Sequence, residues 1–498
     1  MRLWLALVGI GALLCGYVSA TLELSPRAGG AGTFVGGDSL SMPFDPPKDA
    51  EEGSKLVFAH YFPPYPISID NADPAQDYYA TQYLSVNGED NAHAAYAGLL
   101  RDRPTPRSTL ADSQWRQRDL EAEVRQAQAA GIDGFSVDIM TRSTDETCWG
   151  AGVPAALMQA AATVDPDFKI MLMPDMNGAL KDTTPEELAT DMAQYVSNPS
   201  VFTLPDGRLV VSPFLAENKP ASWWSQFNSA MKILHGVDVA LVPVFLNAAA
   251  YQDEFAPISY GMSNWGNRSP ATNSVDSVGP GSSMGAAAVA HDLGKIWMQP
   301  VSFQDVRPSQ SIFDEAENSR NLRDTWKIAL ESDSDWVQLT TWNDYSEGTS
   351  FASSAGHGRA LLDLNAYWLY WFRTGTPPKI VRDTAYLIYR AQAISAVPVN
   401  PSSAPMTLRD GSSPARDAIE VVTVLTEAAI VAVTVGTTTA ECLVPAGIGS
   451  CVVPLEVGQI VATVIRGPDE VARVGSHRAV TATPFNQNLE YLVDSSRR

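Results

Sequence analysis

Eight short, apolar, β-rich runs alternate with helical stretches, and this alternation leaves the chain few possible folds. The runs lie at 55–62, 132–138, 168–175, 208–214, 238–245, 258–265, 294–303 and 336–343. Helical patterns fill most of the gaps, at 112–130, 154–162, 185–195, 223–234, 286–293 and 321–331. Buried parallel strands read as continuous apolar runs, as KIMLM and VALVPVF do here. We therefore predict the α/β class, as a (β/α)8 TIM barrel closing near 363–374.

An open, doubly wound sheet is the alternative architecture for such an alternation. That fold normally carries a glycine-rich phosphate loop at its first strand–helix junction. The sequence after the first run contains no such loop. The barrel is therefore the favoured prediction.

The pattern changes after residue 395, where the barrel domain (55–395) is predicted to end. A stretch rich in Pro, Ser and Thr leads into β-branched runs such as VVTVLT and AIVAVTV. We expect residues 396–498 to form a C-terminal all-β, sandwich-like accessory domain. Cys442 and Cys451 flank a Pro/Gly turn and could form a hairpin disulfide, which leaves Cys148 as a buried or free thiol.

The N-terminus has the features of a secretory signal peptide. Arg2 precedes an apolar run from Leu3 to Val18, and Val18-Ser19-Ala20 fits cleavage after residue 20. The run is short for a membrane span. We expect residues 1–20 to be a signal peptide, residues 21–54 to be a flexible leader, and the mature protein to be secreted and extracellular.

Charge and composition restrict the partners. The formal net charge of −22 repels phosphate backbones and anionic lipid, so we expect no nucleic-acid or membrane partner. It is no barrier to an uncharged polysaccharide, and 12 Trp and 16 Tyr offer rings that can stack on sugars. The sequence has no HExxH, paired CxxC or GxSxG motif, so we expect neither a metal nor a cofactor. We also expect the protein to be a monomer.

Carboxylates recur at the ends of the predicted strands. Asp138, Asp175 and Glu217 each follow or end an apolar run, and Asp344 with Glu347 follows the eighth. A (β/α)8 barrel places its catalytic groups at these carboxyl ends. Hydrolysis of a glycosidic bond needs two such groups, one protonated and one ionised. Their clustering predicts a glycoside hydrolase.

The Asp344/Glu347 pair has two interpretations. Asp-x-x-Glu is also a helix-capping box, with Asp344 as N-cap and Glu347 three residues later. Gly348, Thr349 and Ser350 follow at once, however, and residues that favour a helix do not resume until Arg359. The segment reads as a strand that leaves the sheet into a loop, which favours a catalytic pair.

Seven further residues near the strand ends are candidates for substrate binding. His60 could donate to a sugar or be a core histidine, and Asp138 and Glu217 could each serve a subsite or the structure. Tryptophans at strand ends could stack on sugar rings or belong to the core. The candidates are His60, Tyr61, Asp138, Glu217, Trp265, Trp342 and Asn343.

The sequence resembles glycoside hydrolase family 71, the endo-α-1,3-glucanases or mutanases. The matching pieces include KLVFAHYF, AAGIDGFSVDI, DFKIMLMPDMN, RLVVSPFLAE, YGMSNW, GKIWMQPVS, VQLTTWNDYSEGTSF and TAYLIYR, in order from about residue 55 to 395. The resemblance implies an inverting endo-hydrolase of α-1,3-glucan. It places the family's catalytic carboxylates on Asp344, Glu347 and Asp175.

On this basis we expect Glu347 to be the general acid. Either Asp344 or Asp175 would hold the attacking water as base, and the other would stabilise the transition state. Two alternatives remain from the sequence: a glycosidase of another linkage on the same barrel, and a non-catalytic carbohydrate-binding protein. Convergence of all three carboxylates on one cleft distinguishes an enzyme from the latter.

Overall fold

The computed structural model describes residues 40–46, 55–145, 148–400 and 405–497. The expected signal peptide, 1–20, lies outside these ranges. Of the expected leader, only 40–46 is described, and it lies against the body of the protein. Phe44 forms a β-bridge with Ile380 and packs edge-on against Tyr367 and Tyr370.

In chain order the strands are β1 (Leu56–Tyr61), β2 (Gly134–Ile139), β3 (Lys169–Pro174), β4 (Leu209–Val211), β5 (Val239–Leu241), β6 (Val244–Phe245), β7 (Gly261–Asn264), β8 (Ile296–Val301), β9 (Val306–Arg307), β10 (Ile312–Phe313), β11 (Trp336–Leu339), β12 (Thr384–Tyr389), β13 (Thr407–Leu408), β14 (Ala418–Leu425), β15 (Ala429–Val435), β16 (Thr438–Val444), β17 (Gly447–Pro454), β18 (Ile460–Arg466), β19 (Asp469–Gly475) and β20 (Leu492–Ser495). The longer helices are α1 (Trp115–Ala129), α2 (Val153–Val164), α3 (Pro185–Ala193), α4 (Ala221–His235), α5 (Ala248–Phe255), α6 (Ser283–Asp292), α7 (Arg320–Glu331) and α8 (Ala360–Thr374). Short helical segments lie at Tyr79–Tyr83, Gly88–Asn91, Ala94–Tyr96, Trp149–Gly152, Ala179–Asp182, Ala216–Asn218, Ala256–Ile258 and Pro308–Gln310.

A curled, parallel sheet of nine strands forms the centre of an α/β domain. Its order is β5-β4-β3-β2-β1-β11-β8-β7-β6. Each of the eight apolar runs contains a strand, and each predicted helix is present within a few residues of its expected bounds. Helix α5 was not predicted, because its eight residues directly follow a strand and show no clear apolar period.

The two edge strands of this sheet, β5 and β6, are parts of one extended run. Val239–Leu241 pairs with β4, and Val244–Phe245 pairs with β7. Between them, Val242 N donates to Val211 O (2.9 Å), and Tyr260 N donates to Leu241 O (2.8 Å). The same chain segment therefore hydrogen-bonds to strands on both sides.

Side chains alternate between the two faces of each strand. On β1, Tyr61 belongs to the large core between sheet and helices, whereas Phe58 belongs to a smaller core with Met171, Met173 and Met298. His60 lies two residues after Phe58, so its side chain is on the same face as that of Phe58. The inner face is thus apolar over most of its length, and polar side chains occupy it only near the carboxyl ends of the strands.

Two antiparallel sheets form the C-terminal region, in the orders β17-β14-β12-β20 and β16-β15-β18-β19. Side chains of both sheets share one core. The predicted disulfide between Cys442 and Cys451 is present, but it links β16 of one sheet to β17 of the other rather than two paired strands of a hairpin. Cys148 is buried, and the described cysteines include no free thiol.

Strand β12 belongs to the C-terminal sheets, so the antiparallel region begins at residue 384, before the expected boundary at 395. All eight residues of β14 are buried. One face of this strand packs into the core between the sheets, while Val422 and Val424 join the large core that contains helix α8. Strand β14 is thus packed between the second sheet on one face and the helical layer on the other.

The insertion 63–111 packs a tyrosine-rich cluster against the loop after β11. Tyr65, Tyr79, Tyr83 and Tyr345 are buried in it, and the ring of Tyr65 packs edge-on against those of Tyr83 and Tyr345. Arg103 donates to the carboxylate of Asp77 beneath this cluster, and both side chains are buried. The insertion therefore fixes the loop that holds the expected catalytic pair. In the ranges described above, no helix combines the length and apolar character that crossing a membrane requires.

Buried carboxyl groups predict that stability falls as pH rises. Burial raises the pKa of Glu123 on α1 to about 8, from an ordinary value of 4.5, and Tyr61 donates to it at 2.9 Å. The protonated form is favoured in the fold. Its stabilising contribution is thus fully present below pH 4.5 and is lost as pH rises through about 8. We expect Glu123→Gln to reduce the loss of unfolding free energy between pH 4.5 and 8.5 by about 4–5 kcal/mol, because each unit of pKa difference between folded and unfolded states is worth about 1.4 kcal/mol.

Chemical denaturation at several pH values measures this slope. Glu331→Gln, at an exposed site on α7, is the control and should leave the slope unchanged. An unchanged slope in Glu123→Gln would show that Glu123 is ionised in the fold.

Candidate active site

The carboxyl ends of the parallel strands open into one cleft of about 1580 Å³. Residues from the ends of most strands line it, together with the loops that follow β8 and β11 and the segment 407–412. Six of the ten candidate residues lie here: His60, Asp138, Asp175, Trp265, Asp344 and Glu347. The structure thus brings all three expected catalytic carboxylates to one cavity.

Asp138, Asp175 and His60 form one side of the floor. Asp175 follows β3, and its Oδ1 accepts a hydrogen bond from Asn177 N at 2.7 Å. Burial raises the pKa of Asp175 to about 6. Asp138 Oδ2 lies 3.7 Å from His60 Nε2, while its buried Oδ1 has no protein partner. Burial, together with the charges of Asp175 and Asp344, raises the pKa of Asp138 well above its usual value, which favours its neutral form.

His60 is neutral in this setting. Burial lowers its pKa to about 3, and the positive charge of Arg268 adds to the shift. Its Nδ1 lies 3.1 Å from Met173 Sδ, and its ring packs edge-on against Trp265. His60 can therefore orient Asp138 or a hydroxyl group, but it carries no charge to the floor of the cleft.

Asp344 caps the turn in which it lies. Its Oδ1 accepts hydrogen bonds from Ser346 N (2.9 Å), Ser346 Oγ (2.6 Å) and Glu347 N (3.1 Å). Residues 345–348 form a turn rather than a helix, and the Glu347 side chain binds an arginine, so the full capping box is absent. Burial raises the pKa of Asp344, against the opposing effects of Ser346 and Arg307.

Glu347 is held by a buried arginine. Arg307 Nη1 lies 2.6 Å from Glu347 Oε1, and the other edge of the guanidinium binds both oxygens of Asp305 at 2.7 and 2.6 Å. Burial raises the pKa of Glu347 to about 8; Arg307 opposes this shift and Asp344 adds to it. Burial alone would raise the pKa of Asp305 too, but Arg307 and Arg409 hold it below its usual value. Glu347 can therefore be protonated near neutral pH beside an ionised Asp305.

Hydrogen-bonding groups without a protein partner also line the cleft near the end of β7. Arg268 is buried and donates to Trp265 O at 2.9 Å, while its Nε and Nη2 have no protein partner. Asn264 Oδ1, at the end of β7, is likewise buried and without a partner. Trp265 is partly exposed beside them. An apolar ring face flanked by unused donors and acceptors suits a polyhydroxylated ligand.

Four candidate residues do not line the cleft. Tyr61 and Trp342 point outward into the core, where Phe135 packs against both. Glu217 Oε1 accepts from Leu246 N (2.7 Å), bracing the loop after β6.

Asn343 holds two loops together. Its Oδ1 accepts from Phe62 N at 2.7 Å, and its Nδ2 donates to Phe62 O and Tyr65 O, each at 3.0 Å. It is fully buried beside the turn that carries Asp344 and Glu347. It therefore positions this turn without contacting the cleft.

The sequence did not single out the two arginines. Arg307 follows Asp305 by two residues on β9, and Arg268 lies in the loop after β7. The motif QDVR at 304–307, at a predicted strand end, was the only signal for the first. Across the parts of the chain that the structure describes, no three His, Cys, Asp or Glu side chains are grouped so that they could hold a metal ion.

The site is a cleft at the carboxyl edge of a parallel sheet. It contains carboxyl groups with different pKa values, and its wall offers a ring face and hydrogen-bonding groups to a sugar. These features define a glycoside hydrolase. The chain belongs to glycosyl hydrolase family 71, whose model matches residues 109–497. It is 24% identical over 361 residues to the glucan endo-1,3-alpha-glucosidase agn1 of Schizosaccharomyces pombe, which covers 68% of this chain and 80% of that protein.

Solved structures with some likeness to the chain include the GH99 endo-alpha-mannosidase of Bacteroides thetaiotaomicron. One structure of that enzyme has a TM-score of 0.49 at 14% identity and covers 64% of this chain and 97% of that one. A second, in complex with bis-tris-propane, has a TM-score of 0.44 at 16% identity and covers 52% and 85%.

Asn343→Ala should destabilise the protein by about 2–4 kcal/mol, because it leaves buried backbone groups of Phe62 and Tyr65 without partners. Thermal or chemical unfolding measures the loss. Asn228→Ala is a control: that side chain donates only one long bond, of 3.4 Å, to Ile258 O and should cost little. Equal effects of the two changes would remove the bracing role of Asn343.

Proposed function

We propose that this chain is a secreted α-1,3-glucanase that cuts within the polymer and inverts the anomeric configuration. The observation that carries the proposal is the meeting of Asp175, Asp344 and Glu347 in one cleft. The substrate class is supported by membership of family 71 and by the name of the fission-yeast relative, a glucan endo-1,3-alpha-glucosidase. Secretion is supported by the expected signal peptide at 1–20.

The proposal includes a closed (β/α)8 barrel. Its support is the run 239–245, which bonds to β4 through its first part and to β7 through its second. The bridge from Phe214 to Val244 adds a second link between these neighbours. A closed barrel keeps the strand ends at fixed distances, as catalysis by separate carboxylates requires.

Glu347 serves as the general acid in this proposal. An acid must be protonated when substrate binds and must lose its proton easily once the glycosidic oxygen takes it. A pKa of about 8 satisfies the first need near neutral pH. The neighbouring guanidinium of Arg307 satisfies the second, because it stabilises the carboxylate that donation leaves.

Asp175 is the better candidate for the base. In an inverting enzyme the acid and base lie about 6.5–9.5 Å apart to admit a water molecule. Asp344 shares a four-residue turn with Glu347, while Asp175 extends from β3, three strands along the sheet. One oxygen of Asp344 is already engaged by the turn. We therefore assign water activation to Asp175 and stabilisation of the positively charged transition state to Asp344.

Trp265, Asn264 and Arg268 would bind the sugar rings. The indole offers a stacking face, and the unpartnered groups of the other two offer one acceptor and two donors for hydroxyl groups. Neutral Asp138 has a proton to donate and a free oxygen to accept, so it can bind a hydroxyl next to Asp175.

Glu347→Gln should lower kcat on α-1,3-glucan by about 10²–10⁴-fold, the usual contribution of a general acid. Reducing-end release measures it, and retained binding to the insoluble polymer shows that the variant is folded. Exposed Glu456→Gln is the control. Near-normal turnover in Glu347→Gln would refute the assignment.

The pH dependence of kcat/KM should be bell-shaped. Asp175 must be ionised, so activity should fall as pH drops below about 6, and Glu347 must be protonated, so activity should fall as pH rises above about 8. An optimum outside this interval would contradict the pairing of these two groups.

Products released from α-1,3-glucan should first appear as the β-anomer, because inversion converts an α-linkage into a β-configured hemiacetal. Proton NMR in the first minutes of digestion detects it before mutarotation. Parallel digestions of β-1,3-glucan, α-1,4-glucan and mannan test the linkage, and an initial α-anomer would point to retention.

A further inference from the structure

We infer that the segment 405–413, which leads into the C-terminal sheets, is a wall of the active-site cleft, and that its Arg409 is a positioning residue for Glu347. The inference rests on the proposed role of Glu347 as acid and extends it to the C-terminal domain. This domain would then be part of the catalytic machinery rather than an accessory to it.

The segment borders the cleft directly. Residues 407–412 line the same cavity as Asp175, Asp344 and Glu347. These residues form the side of the cleft next to the loop that follows β8. A substrate bound in this cleft would therefore meet groups supplied by the chain beyond the parallel sheet.

A chain of side-chain contacts joins Arg409 to Glu347. Arg409 Nε lies 2.7 Å from Asp314 Oδ2, and its Nη2 lies 3.6 Å from Asp305 Oδ1. Asp305 binds Arg307 through both oxygens, and Arg307 binds Glu347. Removing Arg409 would leave Asp305 and Asp314 as like charges with less compensation, which would pull Arg307 away from Glu347.

A backbone path runs parallel to this one. Strand β13 pairs with β10, β10 pairs with β9, and Val306 N of β9 donates to Glu347 O at 2.7 Å. Arg409 N donates to Phe313 O at 2.9 Å. The segment 405–413 thus supports both the main chain and the side chain of the acid.

The same segment also steadies the loop of Arg268. Ser413 N donates to Ser269 Oγ (2.7 Å), and Ala271 N donates to Ser413 Oγ (3.1 Å). Two of the cleft's arginines therefore depend on this stretch of chain.

The charged groups that determine the protonation of Glu347 come from several elements. Glu347 faces Arg307, Asp344, Asp305 and Arg268. Arg409 contacts two of the acidic groups in this network, Asp305 and Asp314. Losing its positive charge should favour the protonated form of Glu347, since less positive charge remains nearby.

The test compares Arg409→Gln, Arg409→Lys and the control Arg466→Gln, whose arginine belongs to the same domain and pairs with Asp383 at 2.8 Å, away from the cleft. Arg409→Gln should lower kcat/KM on α-1,3-glucan by about tenfold or more and move the alkaline limb of the pH profile upward. Arg409→Lys should keep the limb and lose less activity. The control should match the parent enzyme in both readouts.

A second readout isolates the acid. A dinitrophenyl glycoside of an α-1,3-gluco-oligosaccharide needs little protonation of its leaving group, so Arg409→Gln should lose much less activity on it than on the polymer. Equal losses on both substrates, or an unmoved alkaline limb, would overturn the positioning role.

Glu347→Gln is measured alongside these variants. If it is inactive on the polymer while Arg409→Gln behaves like the parent, this inference fails and the proposed function stands. If Glu347→Gln is fully active, the proposed function itself fails.

Discussion

The contact of Arg307 with Glu347 and Asp305 is the interaction on which the active site depends. Several carboxyl groups lie buried at one end of the sheet, where desolvation disfavours their charged forms. The guanidinium of Arg307, shared by two of them, acts with Arg409 to hold the pKa of Asp305 low, while burial still raises the pKa of Glu347 to about 8. Without this guanidinium Asp305 would lose its closest counter-charge, and the carboxylate left when Glu347 gives up its proton would lose its ion-pair partner.

The fold followed from the sequence where local pattern and tertiary environment agree. Eight continuous apolar runs located the nine strands of the parallel sheet, two of which, β5 and β6, lie in one run, because such strands are buried on both faces. Residues 384–389 were assigned to the wrong side of the domain boundary. Their partners, β14 and β20, lie far along the chain, and nothing within TAYLIY distinguishes a parallel from an antiparallel strand. For the same reason, the sequence could not show that the disulfide between Cys442 and Cys451 joins two different sheets.

The placement of candidate residues was predictable where it depends on position along a strand. Asp175, Asp344 and Glu347 reach one cleft because they follow apolar runs. Neighbours on a strand face opposite ways, so Tyr61 could not share the cleft with His60. The arginines could not be found from the sequence, since loops deliver them from separate strand ends and their partners become visible only in three dimensions.

The burial of β14 on both faces has a consequence for how the protein matures. This strand covers the helical layer, and its sheet is completed only when β20, at residues 492–495, pairs with β12. Helix α8 therefore keeps apolar surface exposed until residues 492–495 have been synthesised. Native assembly must then be a late event, in which the two domains become stable together.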